Sequence, residues 1–185
     1  MSRLYIRIAK PPEGLLKDYS EQVRNFYFGF AEMAREMLTD PEVISFVYHI
    51  VKREGIDENR INDIRVMVFP SLYNKNVLGF FHIERRQISI FPQLPFRVPK
   101  KSRKLKFSIE DLKNDRKLMA EIRTRSITVL IHEVLHLKYY SERLVRAKTS
   151  QYVKEFEKKE NPKIKPSDLE SLLQRARDIL IKERI

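Results

Sequence analysis

Apolar positions along this chain follow two periods, and the change from one to the other marks its elements. Leu4 to Ile8 has the alternation of a short strand, and Pro11-Pro12 then breaks the chain. From Leu15 to Leu38 the spacing turns helical, with Leu15, Leu16, Tyr19, Val23, Phe26, Phe30, Met33, Ala34 and Met37 on one stripe. Asp40-Pro41-Glu42 predicts a helix restart, with an N-cap, a first-turn proline and an acid at the positive end of the dipole. That second helix should run to Arg53 and stop near Gly55.

Strand character follows in Ile64 to Phe69, Leu78 to Glu84 and Gln87 to Phe91, the last two joined through Arg85-Arg86 as a hairpin. A basic, Pro-punctuated stretch, Pro92 to Lys106, reads as an exposed loop. Ser108 to Asp111 can then cap a long helical region reaching His136. Tyr139-Tyr140-Ser141 predicts a break, with a further helix from Glu142 to about Lys159 and Ser141 as its N-cap. Pro162 and Pro166 form a linker, and Ser167 to Glu170 opens a last amphipathic helix. The expected class is α+β: N-terminal helices, a small antiparallel sheet, then further helices. Residues 1–160 would form one domain, with 161–185 as the linker and a C-terminal helix packed on it.

Composition narrows the chemistry. With no cysteine among 185 residues, disulfide frameworks and thiolate metal sites are excluded, so any zinc must be held by His, Asp or Glu. High charge with few glycines resembles the make-up of thermophile proteins. The chain begins without an apolar leader and has no run of about 18 apolar residues, so no membrane partner is expected, and a cytoplasmic location is. A net charge of +12 admits nucleic acid as a partner, through Arg97, Lys100, Lys101, Arg103, Lys104 and Lys106; a solvated surface or a lid over a cleft explains them equally well.

Two of the four histidines share one short segment, Ile131-His132-Glu133-Val134-Leu135-His136-Leu137, with H-E-x-x-H spacing. Residues four apart on a helix lie one above the other, so both imidazoles can reach one ion. Glu133 then sits near the metal without binding it, placed to take a proton from activated water and pass it to a leaving amine. The apolar neighbours would keep the site dry. His49, on the apolar second helix, reads as a packed core histidine. A closed structural zinc site would need a fourth protein ligand, hard to find nearby without cysteine, which favours an open catalytic site.

His132-Glu133-x-x-His136 on a helix after a small sheet resembles the zincin metallopeptidases, over about Ile64 to Phe156. The resemblance implies one zinc ion per chain, a peptide or protein substrate, and hydrolysis with Glu133 as general base and acid. It also implies a substrate strand lying along Gly79 to Glu84 or Gln87 to Phe91. No histidine follows His136, so a third ligand must be a carboxylate. Glu142 has the six-residue spacing of metzincins and SprT-like zincins; the gluzincin pattern points further on, to Glu155 or Glu157.

An unbroken helix would turn Glu142 about 240° from His136, so Glu142 needs the break at Tyr139 to Ser141. Helical phase favours it, at about 50° from the inner face against about 90° for Glu155 and about 110° for Glu157. Tyr139, Tyr140, Tyr152, Arg146 and His82 are candidate donors to a developing oxyanion. SprT-like peptidases act on proteins attached to DNA, a setting that the basic charge would suit. A terminal segment makes some zincins latent, and the helix after Asp168 is the candidate for that role here.

Overall fold

The computed structural model describes residues 4–11, 14, 17–70, 77–94, 98 and 108–160. Arg97, Lys100, Lys101, Arg103, Lys104 and Lys106, the Pro linker and the C-terminal helix all lie outside the described residues. Among those described are four strands, β1 (Tyr5–Ile8), β2 (Arg65–Val68), β3 (Gly79–His82) and β4 (Gln87–Ile90). Six helices accompany them: α1 (Glu21–Leu38), α2 (Pro41–Arg53), α3 (Glu58–Asn62), α4 (Ile109–Asn114), α5 (Arg116–Leu135) and α6 (Glu142–Glu160). The class is α+β. None of the described helices is long and apolar enough to cross a membrane.

The sheet is mixed, which corrects the antiparallel expectation. Its order is β1-β2-β4-β3, with β1 and β4 both parallel to β2 and only β3 antiparallel to β4. Three described helices lie between β1 and β2, enough chain for the crossover that parallel strands require. Between β2 and β4 the chain runs back through β3, reversing once before β3 and once at the hairpin turn, which leaves β4 parallel to β2. Only the hairpin, Gly79↔Ile90 to His82↔Gln87, had a local signal.

Local chemistry explains most helix ends. Asp40 accepts from Glu42 N at 2.9 Å and caps α2, and Gly55, at φ 62°, follows its end. Ser108 and Asp111 form a reciprocal capping box at α4. Two boundaries differ from expectation. The helix through Phe26 and Phe30 begins at Glu21, because Lys17 to Tyr19 form a turn and bend and Ser20 takes the N-cap position; Leu15 and Leu16 lie outside the described residues. The region before His136 is two helices, because Asp115 ends α4 and caps α5 through Lys117 N and Leu118 N. The short α3, capped by Asp57, was not anticipated.

Ile6, Val66, Val68, Ile88 and Ile90 present a buried sheet face to the helices. Against it lies the second half of α5, where every residue from Ser126 to Leu135 is buried. A helix covered on all sides is a central one, and it brings its polar residues into the interior with it. His49 is exposed, stacked on Phe46 rather than packed in the core.

Candidate metal centre

His132 and Glu133 ride on this buried segment, 6% and 5% exposed, while His136 follows at the helix end. The His136 amide still bonds His132 O at 3.3 Å, so helical geometry persists one residue past α5 and brings the two imidazoles together edge to face. The chain then turns over residues 136–138 and restarts as α6 at Glu142, after Ser141, whose carbonyl accepts from Val145 N at 3.0 Å. The break lies where Tyr139 to Ser141 placed it, and it swings Glu142 back over the histidines.

Three side chains thereby converge. His132 Nε2 and His136 Nε2 are 3.2 Å apart. Glu142 Oε1 is 3.4 Å from His132 Nε2, and its Oε2 is 3.2 Å from His136 Nε2. Ligand atoms about 2.0–2.1 Å from a tetrahedral ion stand about 3.3–3.4 Å from one another. The Nε2–Nε2 spacing is close to that edge, Glu142 sets one oxygen against each ring, and the His/His/carboxylate set can hold a metal ion.

The surroundings favour the ligand forms of these groups. Burial pushes His132 down to about 4, so at neutral pH its imidazole is uncharged and one ring nitrogen keeps a lone pair for a metal. Partial burial works against the charge of Glu142. The Arg146 hydrogen bond, at 2.7 Å, and the neighbouring positive groups outweigh burial and hold the carboxyl below its usual range. His136 Nδ1 lies 3.1 Å from the Tyr139 carbonyl, which accepts only if Nδ1 bears the hydrogen, leaving Nε2 as the free lone pair. His132 Nδ1 is buried with no hydrogen-bond partner among the described residues.

The other carboxylates are engaged elsewhere. Glu155 pairs with Arg53 at 2.7 Å, and Glu157 accepts from Thr124 Oγ1 at 3.0 Å. Neither belongs to the cluster, so Glu142→Ala should weaken zinc binding at least tenfold while Glu155→Ala leaves it at wild type. Competition with a chelating dye would measure both; equal losses would remove Glu142 from the ligand set.

Tyr139 and Tyr152 direct their hydroxyls to Glu54, Tyr139 at 2.5 Å, so neither is aimed at the cluster. Arg146 is held on Glu142, and Tyr140 is 92% exposed on the turn. His82 contacts Phe80, two residues away on the sheet face opposite to Gly79, and so points away from α5.

Gly79 is a site residue that strand alternation explains. It opens the edge strand β3 against α5, where an added Cβ would land on Val129 Cγ1 and stand 3.1 Å from Glu133 Oε1. A glycine inside a strand marks such a close approach. Gly79→Ala is expected to cost about 1–3 kcal/mol in urea unfolding, because Val129 is buried and cannot swing clear. An unchanged midpoint would mean that β3 slides freely on α5.

Compared with protein-family models, curated proteins and solved structures, the chain has no match. What fold and site define is an α+β arrangement with a His-His-Glu cluster, beside a buried glutamate and a strand that is at the sheet edge among the described residues.

Proposed function

We propose that this protein is a zinc-dependent metallopeptidase of zincin type, hydrolysing peptide bonds with Glu133 as general base and acid. One observation carries the reading. The two imidazole Nε2 atoms lie 3.2 Å apart with one Glu142 oxygen 3.2–3.4 Å from each, and the residue after the first ligand is a buried glutamate facing the start of an edge strand. A zinc ion held by His132, His136 and Glu142 would supply Lewis acidity toward a water molecule and the scissile carbonyl.

The chain's own groups would do the rest. Glu133, kept from bulk water on α5, would receive a proton from the attacking water and deliver it to the departing amine. The outer edge of β3, unpaired among the described residues, would hold an extended substrate by backbone hydrogen bonds, antiparallel or parallel to Gly79–His82, as strand addition requires. Since β3 also abuts Glu133, that edge would bring the scissile bond to the base.

The test is zinc content together with hydrolysis of an unstructured protein substrate. About one zinc per chain is expected, with activity abolished by a chelator and restored by zinc. Wild-type protein that takes up no zinc on incubation with the ion would sink the reading.

A further inference from the structure

Remote from any ligand atom in sequence, Glu54 ends α2 as a buried carboxylate, 8% exposed. Its side chain accepts from Tyr139 Oη at 2.5 Å, from Lys148 Nζ at 2.8 and 3.0 Å, and from Tyr152 Oη. Its backbone carbonyl accepts from Lys138 Nζ. Two of these donors, Lys138 and Tyr139, belong to the turn that separates His136 from Glu142. The other two lie on α6.

This pattern has a direct bearing on the cluster. The Tyr139 side chain is anchored on Glu54 while its main-chain carbonyl faces His136 Nδ1 at 3.1 Å. Anchoring the one fixes the other, since a single residue carries both. Tyr139 thus links a carboxylate on α2 to the ring of a metal ligand, and the Lys138 strap adds a second tie to the same turn. The turn must also reverse the chain sharply enough for Glu142 to face both imidazoles. A buried carboxylate with three side-chain donors is a stiff anchor for it, because each broken bond would leave charge unpaired in the interior.

We propose that Glu54 is a positioning residue for the metal centre, fastening the α5–α6 turn through Tyr139 so that His136 presents Nε2 and Glu142 meets the two histidines. The proposal rests on the metal-site reading above and adds to it the residue that sets the geometry. Glu54 touches neither metal nor substrate; its influence runs through Tyr139.

The test compares Glu54→Gln, Tyr139→Phe and Tyr152→Phe in the full chain. Tyr152→Phe is the matched control. It also takes a donor from Glu54, but from a residue about 15 Å along α6 from Glu142 and not on the turn. Zinc affinity should fall about tenfold in Tyr139→Phe and about 10- to 100-fold in Glu54→Gln. In Tyr152→Phe it should stay within about twofold of wild type, by the same comparison.

A second readout needs no metal. Nitrogen NMR of the His136 ring in metal-free protein should show the Nδ1–H tautomer in wild type and Tyr152→Phe, and a tautomer mixture in Glu54→Gln and Tyr139→Phe. A wild-type tautomer in Tyr139→Phe, or a loss of affinity in Tyr152→Phe equal to that in Tyr139→Phe, would overturn the proposal. Absence of zinc binding in the wild type would defeat the metallopeptidase reading instead, and the ring signals would still decide whether Glu54 orients His136.

Discussion

Glu133→Gln is expected to keep about one zinc per chain and to lower kcat/KM for an unstructured protein substrate by about 10²- to 10⁴-fold, the usual worth of a general acid–base group. Glutamine matches the shape of glutamate, so the packing of this buried position beside Gly79 would survive. What disappears is the proton acceptor. His132→Ala would give an equally inactive protein for a different reason, the loss of a ligand atom 3.2 Å from the other imidazole and 3.4 Å from Glu142. Elemental analysis separates the two, with metal retained in the first variant and lost in the second. Retained activity in Glu133→Gln would take the base role from Glu133, and loss of zinc would make it a ligand.

The cluster itself was legible in the sequence because its parts are local. His132 and His136 are four residues apart on one helix, and the break before Glu142 is written in Tyr139-Tyr140-Ser141. Within such a short span, helical phase decides which groups meet, and it separated Glu142 from Glu155. The sheet was less legible. Hairpin pairing of β3 with β4 has a local signal, whereas the parallel neighbours of β2 depend on chain that passes elsewhere first.

The tyrosines show the same limit from the other side. Tyr139 and Tyr152 carry hydroxyls that need partners when buried, and sequence placed them near the cluster. Their partner stands 85 and 98 residues earlier. A trace of it does exist in sequence: Glu54 is an acid at the negative end of α2, just before a glycine stop, where the helix dipole disfavours it. A residue that violates a local preference often answers to a distant contact, and Glu54 answers to four.

That contact has a consequence for acid stability. Burial alone would raise the Glu54 carboxyl. The hydrogen bonds from Lys148, Tyr139 and Tyr152 outweigh burial and lower it from 4.5 to about 2. A carboxylate whose folded value lies below its unfolded one stabilises the fold above the unfolded value. The contribution is lost as pH falls through the folded value, here between about 4.5 and about 2. Its size is on the order of 3 kcal/mol, or about 10² in the folding equilibrium. Lys148 is raised chiefly by its hydrogen bond to Glu54, and Tyr152 by burial and then by its bond to the same carboxylate, so the shared contacts are not counted again.

Glu54→Gln should therefore unfold in less urea than wild type at pH 7, and the gap should narrow steadily below pH 4.5. Measured on metal-free protein, the comparison excludes release of an ion at acid pH. A gap that stays constant down to pH 2 would mean that shape, not charge, is what the Glu54 pocket recognises. A gap that closes would identify an ionised carboxylate as the anchor for the turn between the two metal-bearing helices.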